Sequence, residues 1–239
     1  MFSSALACAQ AQDMGRGFSY ELSFSTQLYQ CELFPLAGEA LAAPVPKANG
    51  GNAFRTTYHI DENHSLSVGI SYFRTTNALG FHLSADDYPS LPFDINGPHV
   101  NRFHNLGIPL SYGFGKPLSD GLRLVSGLGY VLVLPLMPGQ VRGQRSYVED
   151  GVSHPVLAAS YQRARPSHGL WLELGLAKKL RNNDLKASIF VNIPTRTQTF
   201  GTYVFFPEQP ELSSSGQVKS GFGFWGISVG YVFAKKRRG

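Results

Sequence analysis

His82, Asp86, Asp87, Asp94, His99, Ser153, His154 and His168 are the side chains of this 239-residue chain whose types suit hydrolysis or acyl transfer. An imidazole takes a proton, a hydroxyl attacks, and a carboxylate orients the imidazole. Their spacing fits no such site. No Gly-x-Ser-x-Gly turn, His-Glu-x-x-His helix or phosphate-cradling glycine loop surrounds any of them. They read as solvated residues of connecting segments, and no catalytic residue, cofactor site or metal ligand set is assigned.

The elements that would have to position them are strands. From Phe18 the chain alternates, with Phe18, Tyr20, Leu22, Phe24, Thr26 and Leu28 on one face and Ser19, Glu21, Ser23, Ser25 and Gln27 on the other, the period of a β-strand. The same pattern recurs at Phe54/Thr56/Tyr58/Ile60, Leu66/Val68/Ile70/Tyr72, Leu106/Ile108/Leu110/Tyr112/Phe114 and Leu122/Leu124/Leu128/Tyr130/Leu132. It returns at Leu170/Leu172/Leu174/Leu176, Leu185/Ala187/Ile189/Val191/Ile193 and Trp225/Ile227/Val229/Tyr231/Phe233, and no amphipathic helix intervenes. Connections alternate between short (61–64, 115–120, 181–184) and long (34–53, 76–99, 136–166, 194–219). Long structureless connections are uncommon in a compact soluble domain. In a transmembrane barrel they are expected on one side, opposite short periplasmic turns. The expectation is therefore all-β: an eight-stranded antiparallel up-and-down transmembrane β-barrel with three short periplasmic turns and four long extracellular loops.

Two further observations agree. Antiparallel neighbours bring Phe18, Tyr20, Tyr58, Tyr112, Phe114, Tyr231 and Phe233 to one end, where an aromatic girdle would meet the membrane interface. A strand from Phe18 to Leu28, tilted by 40–45°, rises about 26 Å, close to the apolar band of such barrels.

On this topology the inward positions are small or polar, and Glu21, Arg55, Arg123, Glu173 and Lys186 project among them. Unpaired charges in a packed interior are costly, so these five are expected to pair as a structural plug. Pro109 also falls inward and would be accommodated by a bulge or bend. Arg74, Arg102 and His104 continue the outward registers of the third and fourth strands above the apolar stripe. Arginine's fork of donors suits a lipid headgroup phosphate there.

Asn105-Leu106-Gly107-Ile108-Pro109-Leu110-Ser111-Tyr112 resembles the Leu-x-Ile-Pro-Leu strand of a small bacterial outer-membrane β-barrel domain family, a PorT-like group related in architecture to OmpA- and OmpX-type barrels. Gly121-Leu122-Arg123-Leu124-Val125-Ser126-Gly127-Leu128-Gly129-Tyr130 is similar to that family's next strand, and Ile227-Ser228-Val229-Gly230-Tyr231-Val232-Phe233 to its closing strand. The resemblance covers the barrel and not the long connections. It implies residence in the bacterial outer membrane. The chain departs from the pattern by continuing past the terminal aromatic residue with Ala234-Lys235-Lys236-Arg237-Arg238-Gly239.

Composition narrows the rest. Only 15% of residues are charged, against roughly 25% in an ordinary soluble domain. No apolar run approaches the roughly 20 residues of a membrane-spanning helix. Four of the charges behind the formal +5 sit in the final segment, and no nucleic-acid-binding signature accompanies them. Residues 1–11, with Ala9-Gln10-Ala11 at a small-x-small cleavage pattern, read as a partial signal peptide, 12–234 as the barrel and 235–239 as a basic periplasmic tail. Removal of the first segment takes Cys8 and leaves Cys31 without a partner. The expected function is a non-catalytic structural or loop-mediated component of the outer membrane. Its expected partners are outer-membrane lipids and glycolipids and an envelope or extracellular protein met through the loops, with no nucleic acid. The alternatives are a soluble lipocalin-like carrier, for which Gly169-Leu170-Trp171 has the family's Gly-x-Trp pattern but in the sixth strand instead of the first, and an outer-membrane lipid-modifying enzyme.

Overall fold

The computed structural model describes residues 17–29, 31–136, 141–162, 165–209, 211–221 and 223–234. The signal segment 1–11, with Cys8, and the basic tail 235–239 lie outside the described residues. In chain order the strands are β1 (Gly17–Tyr29), β2 (Glu32–Ala37), β3 (Ala42–Pro44), β4 (Lys47–His59), β5 (His64–Leu83), β6 (Ile95–Ser119) and β7 (Leu122–Pro135). They continue as β8 (Val141–Glu149), β9 (Val152–Tyr161), β10 (Ser167–Leu180), β11 (Asn183–Pro194), β12 (Thr197–Phe205), β13 (Ser214–Gly221) and β14 (Phe224–Ala234). No helix of the described residues is long and apolar enough to cross a membrane.

Eight of these strands form a ring. The order β5-β4-β1-β14-β11-β10-β7-β6 is antiparallel throughout, and β6 returns to β5 through a ladder that runs from His64↔Phe114 to Leu83↔Ile95. These are the eight strands that alternation marks in the sequence. The short turns close as expected. The Asp61 carboxylate accepts from the backbone N–H groups of Asn63 and His64, each at 2.8 Å, which holds it below the ordinary carboxylate range. β6 runs to Ser119, so the turn expected at 115–120 tightens to Asp120-Gly121, with Gly121 at φ 68°. Pro109 points inward and is buried, but without the expected bulge. The β5–β6 register is the same at Val68↔Leu110 and Ser71↔Gly107 on either side of it, with only the intervening rungs missing.

The long connections are not the structureless loops that the sequence implies. β2, β13, β12, β9 and β8 form a second antiparallel sheet in that order. This is the order of β1, β14, β11, β10 and β7, the barrel strands they continue, so the second sheet is the barrel wall carried upward. β5 and β6 extend without interruption, and β3 pairs with the top of β5. The hairpin β8–β9 turns on Asp150-Gly151, both at positive φ (49° and 80°), the conformation that a two-residue hairpin prefers.

Along β5 the inward residues read Ser65, Ser67, Gly69, Ser71, Phe73, Thr75, Asn77, Leu79, Phe81, Leu83 and the outward ones His64, Leu66, Val68, Ile70, Tyr72, Arg74. Below Arg74 the wall is apolar outside and polar inside. Above Asn77 it is apolar inside, where Leu79, Phe81 and Leu83 pack against Phe103, Leu157, Tyr161, Tyr203, Phe205 and Val218 in one buried cluster. The outer side of the upper sheet carries Arg142, Gln144, Thr202, Gln217 and Lys219. Phe205 is fully buried in this upper core and edge-on to Phe81, with centroids 5.5 Å apart. Phe205→Ala is therefore expected to cost about 3–5 kcal/mol of upper-sheet stability. Hydrogen exchange should show this as faster exchange in β9, β12 and β13, with β1 and β4 unchanged.

Candidate functional site

The interior is filled from bottom to top. At the turn end Ser19 Oγ and His59 Nε2 lie 2.9 Å apart and Thr57 Oγ1 meets Ser67 Oγ at 2.8 Å. The Ser19–His59 contact was not anticipated from the sequence, although both residues occupy inward parity positions. No carboxylate among the described residues is hydrogen-bonded to the His59 ring, so the pair lacks the third member of a nucleophilic triad.

Above it sits the expected charge cluster. Register places Glu21 directly opposite Arg55, while β10 and β11 bring Glu173 and Lys186. Arg55 Nη1 lies 2.7 Å from Glu173 Oε2, and Lys186 Nζ lies 2.7 Å from Glu173 Oε1 and 3.2 Å from Glu21 Oε2. Ser188, one of the inward small or polar positions of the sequence but not expected in the cluster, donates through Oγ to Glu173 Oε1 at 2.7 Å and meets Ser228 Oγ at the same distance. Two carboxylates face two cations, so the cluster is neutral. Arg123, expected in the same group, donates instead to the Glu62 carbonyl in the β4–β5 turn and stands beside Gly115 at the turn end. Arg123 stands two residues past the Asp120-Gly121 turn, and its long side chain crosses from there to the backbone of the neighbouring β4–β5 turn.

A cavity of about 40 Å³ lies over the cluster, lined by Ser23, Ser25, Gln27, Arg55, Ser71 and Trp171 among others. It has room for a few waters. Phe73, Phe190 and Phe224 close it from above, with Trp171 stacked on Phe190 at 4.6 Å. A buried amide layer follows, in which Asn105 Nδ2 donates to Thr75 Oγ1 at 3.1 Å and Thr76 Oγ1 to Asn49 Oδ1 at 2.5 Å. The upper core caps the stack.

The residues of hydrolytic type do not converge. Asp94 accepts from the Ala85 backbone N–H at 2.8 Å, His154 stacks on Tyr147 at 5.1 Å, and His168 packs on Tyr130 at 5.6 Å on the outer wall. His82, Asp86, Asp87 and Ser153 are exposed. His99 is buried against the backbone of Gly143, and burial, with Arg145 adding to it, holds its imidazole below the ordinary histidine range. No group of three or more metal-binding side chains occurs among the described residues.

The structure places the seven aromatic residues at the turn end of the outer wall. Phe18 and Tyr58 are direct cross-strand partners with centroids 5.2 Å apart, Tyr20 faces Phe233, and Tyr231 and Phe233 pack at 4.7 Å. Tyr112 and Phe114 flank His64 at the same end. Above these aromatic residues run exposed Leu22, Phe24, Phe54, Val68, Ile70, Leu110, Leu174, Ile189, Ile227 and Val229. A carrier fold needs the reverse arrangement, apolar inward, and the lipocalin-like alternative is inconsistent with this wall.

No family model and no curated protein matches the chain. Among solved structures it is similar to the outer membrane protein OprG from Pseudomonas aeruginosa, at 12% identity over 92% of this chain and 97% of that one, with a TM-score of 0.53. It is also similar to the outer membrane protein AlkL (13% identity, 94% and 93% covered, TM-score 0.46) and to the outer membrane protease OmpT from Escherichia coli (9%, 94% and 100%, 0.40). The chain has the fold of the small outer-membrane β-barrels. Its girdle and apolar band are what that fold requires of a wall in contact with lipid, and the resemblance read from the sequence holds at the level of fold.

Two outcomes follow for this barrel. Glu173→Gln leaves Arg55 and Lys186 facing a neutral amide inside the lumen, and is expected to cost about 3–5 kcal/mol. Combining it with Arg55→Met should cost clearly less than the two single losses added, as read by urea unfolding from lipid vesicles. His99 has the sign of a base held neutral. Its folded value lies below the unfolded value of about 6.5, so its contribution is complete above that pH and is lost as pH falls towards the folded value. One proton gives a slope of at most about 1.4 kcal/mol per pH unit, which His99→Gln should flatten in hydrogen exchange of β6 and β8.

Proposed function

We propose that this chain is a closed, non-catalytic barrel of the outer membrane, a structural component that presents its folded extracellular β-structure to an envelope or extracellular partner. The observation that carries this reading is the continuous filling of the interior. Among the described residues the charge cluster, aromatic layer, amide layer and upper core fill the interior around a cavity of about 40 Å³. Catalysis is disfavoured by the dispersal of the histidines, serines and carboxylates over separate surfaces. A partner is favoured by the buried core beneath the upper wall, since surfaces held by a core bind with little ordering cost.

Planar-bilayer recording of the purified protein tests the closure. No stable openings are expected across a voltage ramp, and porin-like conductance would overturn the reading. The purified chain should also require detergent or lipid, because its apolar band far exceeds what a soluble monomer exposes. A monodisperse detergent-free monomer would contradict it.

A further inference from the structure

The switch along β5 locates the outer edge of the membrane. From His64 at the lower girdle to Arg74 is ten residues of strand, a rise of roughly 25 Å at the usual tilt, which is the height of the apolar band. The last lipid-facing residues are Ile70 and Tyr72, and the next outward side chain is Arg74.

Register builds a patch at that height. Arg74 is directly opposite His104, and Arg102 is the next outward residue on β6, paired with Thr76. Direct cross-strand neighbours lie about 5 Å apart at Cβ and diagonal ones about 7–8 Å, so the two guanidinium groups and the imidazole share one patch. All three are exposed. The Tyr72 hydroxyl bonds His104 Nδ1. Among the described residues neither arginine forms an ion pair; the ion pairs found there lie inside the lumen.

We infer that Arg74, Arg102 and His104 form a binding site for the phosphate of a phosphorylated glycolipid in the outer leaflet. The inference rests on the chain being an outer-membrane barrel and goes beyond its closure. Arginine presents a planar fork that matches phosphate oxygens, and two forks beside an imidazole, with no carboxylate to compete, select a phosphomonoester held at the membrane surface. The leaflet is fixed by the end of the barrel at which the patch lies, opposite the short turns.

The test is native mass spectrometry of the full barrel released from vesicles of phosphatidylethanolamine containing either a diphosphorylated lipid A-type glycolipid or phosphatidylglycerol at equal negative charge. Wild-type protein should retain the glycolipid in preference to phosphatidylglycerol. Arg74→Gln with Arg102→Gln should lower that retention by about tenfold or more, two charge-assisted contacts being lost. Lys178→Gln with Lys179→Gln, at the turn end, removes the same charge and should leave retention unchanged. Folding is checked by heat-dependent gel migration, which separates failure of this site from failure of the barrel reading. If the glutamine pair does not fold, Arg74→Lys with Arg102→Lys keeps the charge, removes the forks and should still weaken retention. Unchanged retention in a folded variant overturns the site. So does equal retention of phosphatidylglycerol, which would mean diffuse attraction, and so does competition by inorganic phosphate at millimolar concentration with no preference for the glycolipid, which would mean a free-anion site.

Discussion

One wall has to satisfy two solvents, and the rest of the structure depends on that. A strand that stands in hydrocarbon must turn its apolar residues outward and keep its polar ones inside, where backbone and side-chain partners satisfy them. The same strand in water must do the reverse, because burial of apolar surface is then the source of stability. β5 does both within twenty residues without changing parity: odd positions point inward throughout and pass from Ser65 and Ser71 to Leu79 and Leu83. The inversion creates a junction where a polar interior meets an apolar one. The buried layer of Asn49, Thr75, Thr76, Asn77, Asn101 and Asn105 occupies that junction. An amide carries both donors and acceptors, and Asn105 and Asn49 use theirs there on Thr75 and Thr76.

The charge cluster beneath is best understood in the same terms. Each of its ions would be costly to bury alone, and the mutual attraction of a buried pair only offsets the desolvation when the remaining donors and acceptors are also met. Glu173 has both oxygens engaged, by Arg55 on one and by Lys186 and Ser188 on the other. The cluster links β1, β4, β10 and β11 across the lumen. A slip of one residue in any of them would turn a charge towards lipid, so these four side chains make misregistered pairings expensive. Their contribution lies in specifying the closed barrel more than in adding to its stability.

The lower wall was legible in the sequence because lipid-facing alternation is strong and continuous: Phe18 to Leu28 and Leu106 to Phe114 can be read by parity alone. The charge cluster was legible for the same reason, with Arg123 misplaced because its long side chain reaches the turn instead of the lumen. The upper wall was not legible as structure. Its strands alternate too, but with the apolar face inside, in shorter segments broken where the wall bends, and a search for lipid-facing stripes passes over them. Two signals were present nonetheless. Asp150-Gly151 marks a tight hairpin within a segment read as a loop, and Leu79, Phe81 and Leu83 continue the inward parity of β5 while changing its chemistry. The missing rungs at Pro109 follow from its lack of an N–H, but the absence of a bulge had no signature in sequence, since it depends on β5 and β6 holding register across the gap.

A folded upper wall also constrains how the protein can meet anything outside the cell. Mobile loops adapt to a partner at an entropic cost, whereas this wall is held by a buried core that joins β9, β12 and β13 to the extended β5 and β6. Its second sheet ends in two edges, β2 and β8, that would ordinarily invite another strand. Both edges are blunted. β2 carries Pro35 beside a register shift at Ser215/Gly216, and β8 carries exposed Arg142 and Arg145 with a shift at Arg145/Ser146. Proline removes a donor and a bulge twists the edge away from a flat template, so addition of a strand is resisted at each side. What the upper wall offers at its surface is therefore a face of side chains held on a buried core, with little backbone left open for pairing at these two edges.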